Sequence, residues 1–203
     1  MPYIAVKHVG NRYKVYSDDT YIGPLCKSDI VRLSLEEDQE VSQALIEEIK
    51  DIMYRRASNS SMTVLGQREA SKGDIISKLK LKEYTDETIE HVIDMLYKYN
   101  YLNDSRYIES YIRSNIEKKS RACIKRELSM KDVDTSYVEV LLDELYDETG
   151  IDNESIIKET IAKRFGNLDL SDDKNLRRVV SYMARRGFKP GEVMKYISDL
   201  SDA

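Results

Sequence analysis

Residues 101–133 read YLNDSRYIESYIRSNIEKKSRACIKRELSMKDV, and the rest of the chain is organised around them. Asn103 or Asp104 can accept from the free amides of a first helical turn, so a helix is expected to start there. Tyr107, Ile108, Tyr111 and Ile112 follow at i, i+1, i+4 and i+5, which makes one apolar stripe on a short amphipathic helix. Ile124 and Leu128 form a second stripe, with Lys118, Lys119, Arg121, Lys125 and Arg126 on a basic face behind it. This pattern recurs on both sides of the stretch.

Moving back 49 residues sets Ile75, Leu79, Lys82 and Tyr84 against Ile124, Leu128, Lys131 and Val133. The same shift sets Ile89, Val92, Ile93 and Leu96 against Val138, Leu141, Leu142 and Leu145. Moving forward 55 residues sets Val179, Met183, Arg186 and Phe188 against the first four positions, then Val193, Tyr196, Ile197 and Leu200 against the second. Two ungapped registers that keep apolar residues in place imply stacked helical units sharing a core. Each unit reads as three short helices, the last two joined at Glu83, Asp132 and Gly187. Gly187 suits a left-handed helix exit, whereas Glu83 and Asp132 are expected to leave their helices by another route. The units are assigned to residues 51–102, 103–149 and 150–203, after an extension over residues 1–50.

In the extension, residues 3–9 and 12–16 alternate β-formers with polar residues around Gly10-Asn11, a two-residue hairpin signal. Tyr21, Ile22 and Leu25 add a third short strand, which Pro24 confines to an edge. A brief helix follows from Lys27-Ser28-Asp29 to Leu33. Ser42 caps another, with Ala44, Leu45, Ile46 and Ile49 as its apolar side. Three strands are too few to stand alone, so the block is expected to dock on the first repeat. Residues 55–63, RRASNSSMT, read as a polar linker or fraying helix. A second break falls at Gly166-Asn167-Leu168-Asp169, after which Asp172 or Asp173 caps the next helix.

The chain has 203 residues, 41% hydrophobic and 34% charged, which suits a soluble, helix-rich protein with thin cores. No apolar run approaches the roughly 18 residues of a membrane span, and the opening Met1-Pro2-Tyr3 carries no signal-peptide pattern. Cys26 and Cys123 stand apart, which fits a reducing cytoplasm. Fifteen Tyr with no Trp and two Phe supply rings for the edges of thin cores, with the hydroxyl in water, or for stacking on a partner.

Net charge is −5, which argues against a chain held to nucleic acid by charge alone. Its distribution alternates. Residues 52–82 carry seven Lys or Arg against two Asp or Glu, and residues 106–131 and 160–190 each carry eight against three. Between them, residues 83–105 carry one against six and residues 132–159 one against ten. Each repeat therefore has basic early helices and an acidic third helix, either salt-bridged within the repeat or aligned as a basic stripe. Catalytic chemistry is poorly supplied: His8 and His91 lack triad or zinc-ligand spacing, and no Walker or dinucleotide glycine loop occurs. No enzyme, cofactor or metal is expected.

Tyr101-Leu102-Asn103-Asp104-Ser105-Arg106-Tyr107 resembles the central signature of the RecX family, aromatic-Leu-Asp-Asp-x-Arg-aromatic. Glu109, Ser110, Tyr111, Arg113 and Ser114 continue that family's run, and Met183-Ala184-Arg185-Arg186-Gly187-Phe188 resembles its carboxy-terminal Arg-Arg-Gly-Phe element. The likeness runs from about Val64 to Leu200. The chain departs from it at Lys119-Ser120 and Lys131-Asp132-Val133, where the family often has glycine.

The resemblance implies a mainly α fold of tandem three-helix repeats in an elongated curved solenoid, with the small β-hairpin and helix in front. It also implies a monomer that binds the RecA filament on single-stranded DNA and lowers its ATP hydrolysis, strand exchange and co-protease activity, with weak direct DNA contact. The residues expected to make that contact are Arg106, Arg113, Lys118, Lys119, Arg121, Lys125 and Arg126, then Arg177, Arg178, Arg185 and Arg186, with Lys78 and Lys82 as first-repeat counterparts. Direct nucleic-acid binding by the helices is the alternative.

Overall fold

The computed structural model describes residues 2–201, and the chain divides into two compact units, Met1–Asn103 and Asp104–Ala203. In the first unit an antiparallel sheet comes first. Strand β1 (Tyr3–Val9) pairs with β2 (Arg12–Ser17) through a two-residue turn, and β3 (Thr20–Leu25) follows on the outer side of β2. Gly10 has φ 60°, the positive value that such tight hairpins need. β3 is the edge of the sheet, as Pro24 requires. A fourth strand, β4 (Asp38–Glu40), closes the other edge against β1, with Tyr3 opposite Glu40. Its sequence, Asp-Gln-Glu, has no β-forming residue. Pairing to the open edge of β1 makes it a strand, so nothing local announces it.

Helix α1 (Lys27–Arg32) precedes β4, and the long helix α2 (Gln43–Leu65) follows it. Ser42 Oγ accepts from the Leu45 amide and starts α2 as expected, although Ala44 is turned outward. Of the two readings of residues 55–63, linker or fraying helix, the linker fails and a helix stands there: all nine lie inside the 23 residues of α2. Ser61 is buried and returns its hydroxyl to the Ala57 carbonyl at 3.0 Å, and Thr63 does the same to Asn59 at 2.8 Å. A serine that satisfies itself on the i−4 carbonyl fits a helix interior, and polarity alone does not reveal this.

α2 serves two cores. Its first half, Ile46, Ile49, Ile52 and Met53, packs on Ile4, Val6, Val15 and Leu25 of the sheet. A Cβ added at Gly23 would lie 2.6 Å from Met53 Sδ, so sheet and helix touch with no space between them. The second half brings Ala57 to α3 (Lys72–Leu81) and α4 (Asp86–Lys98), around Ile75, Leu79, Ile89, Val92 and Leu96. The block therefore docks on the first repeat, as expected.

The second unit holds α5 (Asp104–Asn115), α6 (Arg121–Ser129), a 3-10 turn (Thr135–Tyr137) and α7 (Val138–Thr149), followed by α8 (Asn153–Phe165), α9 (Asp173–Arg185) and α10 (Pro190–Ser201). One cluster gathers Tyr107, Ile108, Ile112, Ile124, Leu128 and Leu142, and another gathers Ile157, Phe165, Val179, Met183, Phe188 and Val193. The register positions coincide in burial. Ile75, Ile124 and Val179 are each 0% exposed, as are Leu79, Leu128 and Met183. Leu200, the register partner of Leu145, lies outside the described side chains.

The joins at Glu83, Asp132 and Gly187 share one backbone solution, with φ of 64°, 53° and 89°. The other exit expected for Glu83 and Asp132 does not occur. At the first join Glu83 N–H donates to the Lys80 carbonyl and Tyr84 N–H to Leu79. At the third, Gly187 N–H donates to Ala184 and Phe188 N–H to Met183. Both are Schellman closures, in which an apolar residue beyond the turn folds back on the helix. Tyr84 and Phe188 supply that residue, each packed on the core of its own repeat.

The carbonyls of these turns also bind what lies before them. Arg12 Nη1 donates to the Lys82 carbonyl at 2.6 Å and Tyr21 OH to the Glu83 carbonyl at 2.7 Å. In the second unit Ser120 donates its amide to Arg186 at 2.9 Å and its hydroxyl to Gly187 at 2.8 Å.

Candidate binding surfaces

In the middle repeat most of the expected cations are engaged by nearby acids. Arg113 bridges Glu109 on its own helix, at 2.9 Å, and Glu148 on α7, at 3.1 Å. The Glu109 hydrogen bond is the larger cause of a pKa raised above the ordinary guanidinium value. Arg121 pairs with Asp143, and Lys125 with Glu139 at 2.8 Å, so α6 lays its basic face along the acidic α7. Lys118 Nζ caps the Ser114 carbonyl at 2.8 Å, and Arg126 reaches Cys123 Sγ at 3.5 Å. Arg106 is exposed on α5 and also has an interaction of its own. Of the two arrangements open to the alternating charge, salt bridging within the repeat is the one seen here.

Lys119 belongs to a tighter group. Its ammonium lies 2.6 Å from Glu127, which also accepts from Tyr111 OH at 2.6 Å. Burial pushes the Glu127 carboxyl up, but the bonds from Lys119 and Tyr111 outweigh it and hold the group below the usual carboxylate range. Burial, helped by Glu127, raises both the Tyr111 phenol and the Cys123 thiol. This cluster is structural, since its charges are spent on one another.

The last repeat differs. Arg177, Arg178 and Arg185 are exposed on α9 and have no ion-pair partner among the described residues. Arg186 turns inward: its guanidinium lies over the Tyr182 ring at 4.4 Å and donates to the Lys118 carbonyl at 3.1 Å, fixing the join between the two repeats of this unit.

In the first unit Lys82 closes a polar cleft rather than standing on an open face. Its ammonium lies 2.5 Å from Ser60 Oγ, and burial, with Lys78 and Arg12 adding repulsion, lowers its pKa. The cleft encloses about 340 Å³ and is lined by Arg12, Arg56, Asn59, Ser60, Thr63, Lys82 and Tyr84, among others. Two of its cations, Arg12 and Arg56, are not among the residues singled out by the sequence. Arg12 sits in the hairpin and Arg56 in the supposed linker. Read as helix, residues 56, 59, 60 and 63 fall at i, i+3, i+4 and i+7, and that spacing would have found the α2 wall of the cleft.

The histidines pack as rings, His8 on Tyr13 and His91 on Tyr54 with centroids 4.6 and 4.2 Å apart. Among the described residues no group of three or more His, Cys, Asp or Glu could hold a metal ion, and no helix is long and apolar enough to cross a membrane.

Taken together, these features define a mainly helical protein with a small antiparallel sheet in front, whose notable surfaces are cationic. Residues 103–142 match the family model described as RecX, second three-helix domain. Over 204 residues the chain is 29% identical to the regulatory protein RecX of Clostridium acetobutylicum, covering 95% of this chain and 93% of that one. It is 31% identical over 161 residues to the regulatory protein RecX of Corynebacterium efficiens, covering 77% and 75%. The chain belongs to the RecX family. Its fold is also that of two crystal structures. One, of a regulatory protein RecX, aligns with TM-score 0.54 at 20% identity over 96% of this chain and 97% of that one. The other, of RecX from Lactobacillus salivarius, aligns with TM-score 0.51 at 21% identity over 75% and 99%.

Proposed function

We propose that this chain is a cytoplasmic regulator that binds the RecA recombinase filament on single-stranded DNA. In this reading its repeats form a curved, monomeric solenoid that bridges several RecA protomers along the filament groove. Bridging biases the filament's conformation or blocks subunit exchange, which lowers ATP hydrolysis, strand exchange and co-protease activity. Binding alone suffices, because many weak contacts add across the repeats.

Family membership and the resemblance of the central signature support the partner. The observation that carries the site is the contrast between repeats: the α9 arginines are exposed and have no ion-pair partner among the described residues, whereas Arg113, Arg121 and Lys125 are held by acids of their own repeat. Arg177, Arg178 and Arg185 are therefore the primary contact, since a free guanidinium forks onto a partner's carboxylate or phosphate without first leaving one. Arg121 and Lys125 join by exchanging partners, as exposed ion pairs are weak.

The test is RecA-catalysed, DNA-dependent ATP hydrolysis titrated with this protein, beside binding to bare DNA across salt. Inhibition well below one copy per RecA is expected, and reversal of Arg177, Arg178 and Arg185 to Glu should abolish it. Undiminished inhibition by a folded triple variant removes the site assignment. No effect on hydrolysis, together with tight and salt-sensitive DNA binding, replaces the reading with direct nucleic-acid binding.

A further inference from the structure

The geometry points to a second, separate site: the cleft between β2, α2 and the turn after α3 binds the phosphate group of a nucleotide. This goes beyond filament binding and does not depend on it.

Cations converge here from three elements. Arg12 comes from β2, Arg56 from α2 and Lys82 from the end of α3, with Lys78 one helical turn behind Lys82. Among the described residues no carboxylate lines the cleft, and Asp29 reaches it only through Arg56. Among the described residues, Arg12, Lys78 and Lys82 have no ion-pair partner, while Arg56 has Asp29 at 2.8 Å. The nearest acid in sequence, Glu83, is turned to Lys14 at 2.5 Å. Lys82 is partly buried, repelled by two other cations and opposed only by a serine hydroxyl. A polyanionic ligand supplies what that arrangement lacks.

The donors outnumber what a carboxylate can accept. Around the cations stand the Asn59 amide and the Ser60 hydroxyl, which accepts from Lys82 and keeps its own proton to donate, while Thr63 beside them has its hydroxyl on the Asn59 carbonyl. Several donors approaching from different sides suit the terminal oxygens of a tetrahedral phosphate, with guanidinium groups gripping two at a time. The volume, about 340 Å³, exceeds that of a lone phosphate and lies within the range of small-ligand sites. Pro24, Leu25 and the Tyr84 ring give the remaining space an apolar wall fit for a sugar and base. The phosphate belongs either to a free nucleotide or to one unit of a single strand.

The full chain is titrated calorimetrically with thymidine 5′-monophosphate, a short oligothymidylate and an oligoglutamate peptide, beside Lys82→Gln and, as a control, Lys158→Gln on α8. Lys82→Gln should weaken nucleotide binding at least tenfold and Lys158→Gln should leave it unchanged. Equal affinity for both nucleotide probes assigns a free nucleotide, and a strong preference for the strand assigns a strand unit. Cys26 lines the same cleft and reports in the unaltered chain: bound nucleotide should slow its alkylation several-fold. The proposal is overturned if neither nucleotide probe binds, if Lys82→Gln binds as well as the parent, or if only oligoglutamate binds. Should Lys82→Gln not fold, unchanged Cys26 alkylation at saturating nucleotide overturns it as well.

Discussion

A methyl group at position 187 would lie 2.4 Å from Ser120 Oγ and 2.5 Å from the Cβ of Cys123, on a residue already at φ 89°. Gly187 is thus fixed twice, by backbone conformation and by the close approach of α6. Gly187→Ala is expected to destabilise the second unit by about 2–5 kcal/mol, combining left-handed strain with overpacking; urea unfolding measures it. Glu83→Gly, at the equivalent turn, should change stability by less than about 1 kcal/mol, because the relief of positive-φ strain is offset by loss of the half-exposed pair with Lys14.

Asp29 carries the other sharp prediction at this scale. It is 3% exposed and accepts from Arg56 and from the Cys26 amide and thiol. Burial pushes its carboxyl up, yet these bonds prevail and hold it below the ordinary aspartate value. A carboxylate lowered by folding stabilises the fold above its unfolded pKa, and that contribution fades as pH falls through the folded value. Unfolding free energy measured against pH should therefore drop on the acid side, and the drop should be shallower in Asp29→Asn. At neutral pH Asp29→Ala is expected to lose about 1.5–3 kcal/mol, the range for hydrogen bonds to charged groups.

Among the elements, α2 has the widest reach, since the sheet rests on its first half and the first helical repeat on its second. Amides of residues 57–61 should exchange with solvent as slowly as those of residues 46–53, in hydrogen exchange followed by mass spectrometry. Rapid exchange confined to 55–63 would restore the linker. Ala57, 0% exposed, admits nothing larger, so Ala57→Leu should cost about 1–3 kcal/mol through overpacking. The helix also marks where the sequence stops being legible. Its start at Ser42, the hairpin and both repeat registers follow from spacing alone, because periodicity and turn chemistry are local. Residues 55–63 do not, because a run of Ser, Asn and Thr reads equally as linker or fraying helix until Ser61 and Thr63 are given carbonyls to return to. β4 is hidden for a related reason: its hydrogen bonds come from β1, more than thirty positions away in the chain. The cleft follows from the same two difficulties, since it needs α2 to be helical at Arg56 and the hairpin to bring in Arg12.

Over the molecule, charge is balanced unevenly. Among the described residues the middle repeat pairs most of its cations with its own acids, the last leaves three arginines without an ion pair, and the first sets Arg56 and Lys82 around a hollow. Exposed pairs such as Lys125–Glu139 contribute about 0.2–1 kcal/mol each, so Lys125→Glu should alter stability little. Reversing Arg177, Arg178 and Arg185 removes no ion pair among the described residues, and unfolding should stay within about 0.5 kcal/mol of the parent. Loss of RecA inhibition in that variant would then report contact rather than misfolding. The sequence displayed these cations as a single class, and only packing separates the spent from the available.

The paired turn carbonyls have a consequence for how such a chain can be assembled. Lys82 and Glu83 present them to a hairpin, through an arginine and a tyrosine; Arg186 and Gly187 present the same pair to the start of a helix, through one serine. The acceptor is main chain, so it persists whatever side chains drift around it. A socket of that kind is indifferent to the secondary structure of its plug. Another leading piece would have to supply two donors and also cover Ile46, Ile49, Ile52 and Met53 of α2, which the sheet buries. The β-sheet at the front is held by a main-chain connector and matched to α2 by its apolar face.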